Sequence, residues 1–342
     1  MMLCLKGVGP SDKQAWTSSL SPAFGLMDMT LRTPLILSFG SINIDLTARS
    51  QRLPRPGETV HADSYAIGLG GKGSNQAAAA ARLARSFNVD VALAGRVGRD
   101  AFGAQARASL EGFGVDLSPL RDDPEHPTGI ALIGIDASAE NCITVAGGAN
   151  MAVDGTDVVA ASPWLDRAKV LLLQLEIPQT VVLAAARQTK RAGGLVVLDP
   201  APAPEYGLLD ALWSEIDILT PNESETFSLT GIRPATVEEA KTAAEALLAK
   251  GVRAVLVKMG AKGVFWHDGT SSGHIPPFQV TPIDTVAAGD CFNAGLAVAL
   301  ARGEKLPEAA RIASACGALA TTRRGAADAA PEWREVAALL QQ

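Results

Sequence analysis

The sequence predicts an α/β fold: a doubly wound, mostly parallel central sheet flanked by helices, with a small antiparallel β lid. Three observations predict it. Short, near-continuous apolar runs recur at 35–39, 91–94, 170–174, 195–198, 216–219 and 254–258, the pattern of parallel strands covered on both faces. Helical patterns lie between them at 74–85, 178–191, 237–250, 289–301 and 307–321, so the units read as right-handed βαβ crossovers. Two segments, about 46–67 and 128–146, break that rhythm with period-two alternation and turn residues. Antiparallel strands inserted in a parallel domain suit a lid over the carboxyl ends of the sheet, where ligands bind in such folds.

Composition narrows the function classes. The chain has 342 residues, 47% hydrophobic and 19% charged, enough to bury a sizeable core. Its formal net charge of −6 argues against broad contact with nucleic acid, which needs a basic surface. Four cysteines (Cys4, Cys142, Cys291, Cys316) and four histidines are scattered, without the spacing of a zinc site. Free thiols in a reducing compartment are expected. No run approaches a membrane helix, and the apolar start ends at Lys6, too early for a secretion signal, so a cytoplasmic protein is expected. Residues 1–32 carry no clear period and read as a disordered N-terminal extension, with Met27 and Met29 as alternative starts. A single domain is expected over 33–342.

The candidate chemistry follows in chain order. Asn43 and Asp45 come after the first strand, and residues i and i+2 of an extended segment share a face. Two polar side chains there suit adjacent sugar hydroxyls; a solvated turn is the plain alternative. Glu176, after the run 170–175, invites the same two readings. Gly68-Leu-Gly-Gly-Lys-Gly-Ser-Asn75 satisfies the dinucleotide pattern GxGxxG literally. The preceding run holds His61, Asp63, Ser64 and Tyr65, so it is no buried first strand. Asp90 precedes its apolar run, where a ribose-binding acid should follow it. What remains is a glycine turn that brings a small ligand to the backbone, with Lys72 and Asn75 as donors, or a plain N-capped helix with glycine for its turn.

In Pro221-Asn-Glu-Ser-Glu225, the spacing of Asn222 and Glu225 suits either a water-bearing Mg²⁺ or a capping box. Lys258-Met-Gly-Ala-Lys-Gly263 is a strand end and glycine turn that could cover phosphates, or a common turn and no more. In Thr281-Pro-Ile-Asp-Thr-Val-Ala-Ala-Gly-Asp290, small residues run into a helix whose free amides suit an anion. Asp290 in the first turn would repel that anion, so its natural role is to accept a proton from an attacking hydroxyl. The bland reading is an acid that favours a helix N-terminus. GxxxxGK[ST] is absent, so a kinase here is not a P-loop enzyme.

Together these stretches resemble the ribokinase-like (PfkB) carbohydrate kinase family. The resemblance is carried by Gly40–Asp45, Gly57-Glu-Thr-Val60, Gly70-Gly-Lys-Gly-Ser-Asn-Gln-Ala77, Leu173-Gln-Leu-Glu176, Pro200-Ala-Pro-Ala203, Thr220–Glu225, Asp284–Asp290 with Phe292-Asn293, and Thr322-Arg-Arg-Gly-Ala326, in family order. It implies ATP-dependent phosphorylation of a sugar hydroxyl, with the primary hydroxyl of ribose as the expected acceptor. Asn43, Asp45, Gly71, Lys72, Asn75 and Glu176 match positions that hold the sugar. Asp290 matches the catalytic base, and the amides of Ala288, Gly289 and Asp290 the anion hole. Asn222, Lys258, Gly260, Lys262, Gly263, Gly289 and Ser314 match nucleotide positions, and Asn222 with Glu225 the Mg²⁺-linked pair. Asp284 and Val286, with carbonyls near Ala320, Arg323 and Gly325, match an activating potassium site. A homodimer through the lid strands is expected.

Two departures stand out. The usual Gly-Ala-Gly-Asp reads Ala287-Ala-Gly-Asp290, and Ala329 stands where a serine usually serves potassium, with Asp328 or a water as substitute. Competing readings are a same-family kinase for deoxyribose, a ketose or a nucleoside, a catalytically silent sugar-binding regulator, and a nicotinamide oxidoreductase.

Overall fold

The computed structural model describes residues 33–138 and 140–342. The expectations for residues 1–32 lie outside them. The strands are β1 (Leu35–Phe39), β2 (Asn43–Arg49), β3 (Ser64–Gly70), β4 (Asp90–Gly98), β5 (Leu120–Asp123), β6 (Gly129–Ile135), β7 (Asn141–Ala146), β8 (Ala168–Leu173), β9 (Leu195–Leu198), β10 (Ile218–Leu219), β11 (Ala254–Lys258), β12 (Val264–His267) and β13 (Ser272–Ile275). The helices are α1 (Lys72–Ala84), α2 (Ala101–Phe113), α3 (Gly155–Leu165), α4 (Gln179–Arg191), α5 (Asp210–Trp213), α6 (Glu223–Thr230), α7 (Val237–Leu248), α8 (Ala288–Ala301), α9 (Leu306–Ala320) and α10 (Trp333–Leu339).

Nine strands form the central sheet in the order β13-β12-β11-β10-β9-β8-β1-β4-β5. All pairs from β11 to β5 are parallel, and β12 and β13 add an antiparallel edge. Alternate side chains of each strand enter opposite layers. Ile36, Val170 and Leu172 pack beneath α1, α8 and α9, whereas Leu37, Phe39, Leu171 and Leu173 pack beneath α3, α4 and α7. Burial on both faces is what makes these strands continuously apolar. β1 lies between β4 and β8, the point where the sheet order reverses and a crevice opens at the strands' carboxyl ends.

β10 begins at Ile218, shorter than the apolar run at 216–219 suggests. The side chain of buried Asp217 accepts from the Val196 amide at 2.9 Å, taking a donor that a longer ladder would use.

The second sheet has the order β3-β2-β6-β7. Its outer pairs are antiparallel and its central pair, β2 with β6, is parallel. β3 belongs to this sheet, and Asp90 opens β4, which disposes of the dinucleotide reading of Gly68–Gly73.

Candidate active site

The chain enters α8 through Ala287, the one non-glycine with positive φ among the described residues (φ 56°, ψ 12°). A left-handed alanine is strained by its Cβ. Its small side chain keeps that strain low while turning the backbone sharply into the helix. No side chain caps this turn. The Ala288 amide reaches the Thr285 carbonyl at 3.3 Å, so the positive end of the helix rests chiefly on Gly289 and Asp290.

Asp290 is only 4% exposed. Asn75 donates from Nδ2 to its Oδ2 at 3.1 Å, and Gln76 from Nε2 to its Oδ1 at 3.1 Å. Both donors lie on α1, which packs against α8. Burial pushes the Asp290 carboxyl up from 3.8 to about 6, against the opposing pull of Lys72. A carboxylate tuned towards neutral pH is a better proton acceptor than a solvated one.

Gln76 has a second role. It also donates to Asp199 at 3.2 Å and accepts from Gln174 Nε2 at 2.7 Å, which fixes the orientation of its amide. Asp199 in turn pairs with Lys258 at 3.0 Å. Gln76, Gln174 and Asp199 are functional candidates that sequence reasoning missed. All three lie within or beside stretches that carry the family resemblance, but nothing local distinguishes them from their neighbours.

The expected sugar residues gather on the lid side. Asn43 is buried, and its Oδ1 accepts from Asn150 Nδ2 at 2.8 Å, leaving its own amide hydrogens to point elsewhere. Asn150, also missed, bonds both backbone groups of Ile42 and so locks the entry to β2. Asp45 shares the Asn43 face and lies against Gly70, where a Cβ would sit 1.9 Å from its Oδ1. Burial, with repulsion from Glu176 and Asp290, raises the Asp45 carboxyl from 3.8 to about 6. Gly71 has φ 88°, and a Cβ there would lie 2.7 Å from the Asn43 amide nitrogen, so the turn requires glycine. Glu176 accepts from Ser41 and from the Lys72 amide, both at Oε2, which leaves Oε1 free among the described residues. Burial opposes the Lys72 ammonium, but Asp290, Asp199, Glu176 and Glu225 outweigh it and hold Lys72 above the usual lysine range.

The nucleotide positions divide. Asn222 and Glu225 form a capping box at the start of α6, so the plain reading of this motif is realised. Both Glu225 oxygens accept from Asn222, and burial raises the Glu225 carboxyl, opposed by Lys258. Asn222 bridges Lys258 across the sheet end. The turn Gly260–Lys262 leads to Gly263 at φ 88°, with Lys262 exposed. Ser314 on α9 donates back to the Ala310 carbonyl of its own helix at 2.8 Å.

The expected potassium residues are also brought together. Asp284 accepts from the Val286 amide at 3.0 Å and from the Gly325 amide at 3.4 Å. The Ala320 carbonyl accepts from the Arg323 amide at 3.3 Å. The Arg323 side chain turns away to Glu335. Ala329 is buried, and exposed Asp328 lies near Gly325.

One cluster of side chains thus joins a tuned carboxylate, a helix start that suits an anion, a polar lid strand and two lysines. That set can bind a polyol and a phosphate chain, and can take a proton from the polyol. The pfkB family carbohydrate kinase pattern matches residues 33–333. A ribokinase of Haemophilus influenzae is 38% identical over 302 residues, covering 88% of this chain and 97% of that protein. A deoxyribokinase of Salmonella typhi is 35% identical over 258 residues, covering 75% and 82%. The structure of Arabidopsis thaliana ribokinase complexed with ribose and ATP superposes with a TM-score of 0.82 at 34% identity, covering 91% of this chain and 99% of that one. The chain belongs to the pfkB family of carbohydrate kinases and is an ATP-dependent sugar kinase.

Proposed function

We propose that the chain phosphorylates the primary hydroxyl of D-ribose, with Asp290 as the base. One observation carries the assignment of the base: a carboxylate 4% exposed at an uncapped helix start, tied through Asn75 to the helix that begins at the sugar side. The ribokinase relatives, one of them seen with ribose and ATP, support the acceptor. Asn43, Asp45 and Asn75 would hold the hydroxyls, and Lys72 and Glu176 would close the site beneath the lid. Asp290 takes the proton as the hydroxyl oxygen attacks the γ-phosphorus. The bond from that phosphorus to the bridging oxygen breaks, and its electron pair leaves with ADP. The amides of Gly289 and Asp290 stabilise the charge on the transferred group. Exclusion of water by the lid guards against hydrolysis.

Magnesium enters with ATP. Among the described residues no group of three His, Cys, Asp or Glu side chains is placed to hold an ion. Each Glu225 oxygen keeps a lone pair beyond its bond to Asn222, which fits an ion held through water. There it would neutralise phosphate charge. Asp284, Val286 and Gly325, with Ala320 and Arg323 carbonyls, would form the monovalent-cation loop.

The lid presents Leu46, Tyr65, Ile67 and Leu132 on the face away from Asp45, with Tyr65 77% exposed. An apolar sheet face of this kind supports a homodimer through the lids. No described helix is long and apolar enough to cross a membrane, and the three described cysteines are free, in keeping with a cytoplasmic site.

Deoxyribose is the second reading, favoured by the deoxyribokinase relative. ADP release measured over ribose, deoxyribose, hexoses and nucleosides, with potassium or sodium, tests both. Ribose should give the highest kcat/KM and potassium should raise it. Preference for another acceptor would overturn the ribose assignment.

A further inference from the structure

The turn from Lys258 to Gly263 matches nucleotide positions, but the resemblance gives the Lys258 side chain no chemical role. That side chain does not follow the turn outward. Its Nζ lies 3.0 Å from Asp199 Oδ1, with the lysine side chain 13% and the aspartate 3% exposed. It stands 5.9 Å from the centre of the Phe292 ring on α8. A Cβ placed on Gly289 would lie 3.4 Å from Nζ. The ammonium is therefore beside the helix start that suits the phosphoryl anion, at van der Waals distance from where a side chain at 289 would begin.

We propose that Lys258 is a catalytic cation that contacts the non-bridging oxygens of the transferred phosphoryl group, and that Asp199 is the positioning residue that stores it there. The inference rests on the sugar kinase reaction, whichever sugar is the acceptor. Asp199 is itself fixed. Gln76 donates to its other oxygen at 3.2 Å, and the same Gln76 nitrogen donates to Asp290 at 3.1 Å. Base and cation thus hang from one amide on α1. As the hydroxyl oxygen bonds to phosphorus, its proton goes to Asp290, and the leaving electron pair goes to the ADP oxygen. Negative charge on the three peripheral oxygens is then met by the Gly289 and Asp290 amides on one side and Lys258 on the other. Lys258 keeps its protons throughout. A charge placed in advance in a site with little water is worth far more than one in solution.

A structural account competes: Lys258 only neutralises a buried acid. The Lys258→Met/Asp199→Asn double variant separates the two, because it removes both charges and leaves no unpaired carboxylate. Steady-state ADP release should show kcat lowered about 100-fold in Lys258→Met and in the double variant, with the KM for sugar within about twofold of the parent. Thermal unfolding should show the single variant destabilised and the double variant restored. Lys258→Arg should keep kcat within about tenfold, since it preserves the charge. A double variant that regains kcat to within about fivefold of the parent overturns the proposal. If the parent prefers a sugar other than ribose, the ribose assignment fails and the same comparison is made with that sugar.

Discussion

Gln76 on α1 donates from Nε2 to Asp290 Oδ1 on α8 at 3.1 Å, across 214 residues of sequence. A donor to the charged form of a carboxylate favours that form. Gln76→Met therefore removes a hold on the base. We expect kcat to fall about tenfold and the acid limb of kcat/KM to move up by about half a pH unit. A full pH–rate profile of the variant checks both.

The acid limb of the parent is itself predicted. The Asp290 and Asp45 carboxyls are both raised to about 6, so the reactive ionised forms are lost as pH falls through that value. The limb of kcat/KM should have a midpoint near 6, set by both carboxyls. A midpoint near the ordinary carboxylate value would contradict the burial of these groups.

Gly70 keeps room for the Asp45 carboxylate, since a Cβ there would lie 1.9 Å from Oδ1. Gly70→Ala should push that side chain off the position from which we propose it holds the sugar. The KM for sugar should rise about tenfold, while the KM for ATP and the melting temperature change little. Kinetics with each substrate varied in turn will show the split.

Ala287 carries the left-handed turn into α8 at φ 56°. A β-branched residue cannot adopt it cheaply. Ala287→Val should cost about 2 kcal/mol of stability and lower kcat by misaligning the two amides. Chemical denaturation and turnover should move together.

The strands at β1, β9 and β11 were legible to the residue, because a sheet buried on both faces imposes unbroken apolar runs. β5 was not: Leu120-Arg-Asp-Asp123 is an edge with its central charges exposed. β12 and β13 form an antiparallel edge that the βαβ rhythm does not announce, and α3 hides its helix behind Pro163. In the site, Asp290, Lys72 and Asn75 stood out because glycine turns and a helix start mark them. Gln76, Asp199, Gln174 and Asn150 act through contacts 59 to 214 residues apart or through buried backbone locks, and no local pattern encodes such a contact.

Burial of Asp290 also has a stability consequence. Its folded value lies above the ordinary 3.8, so the stability linked to its proton is complete at low pH and is lost as pH rises through about 6. Asp290→Asn removes the buried charge. At pH 8 the variant should be more stable than the parent by about 2 kcal/mol, with the gap closing in acid. The same variant gives the most direct test of the base itself, read by ADP release alongside calorimetric binding of ADP and sugar. Turnover should fall by about 1000-fold or more while both ligands still bind. Turnover within a few fold of the parent would contradict the assignment of Asp290 as the proton acceptor.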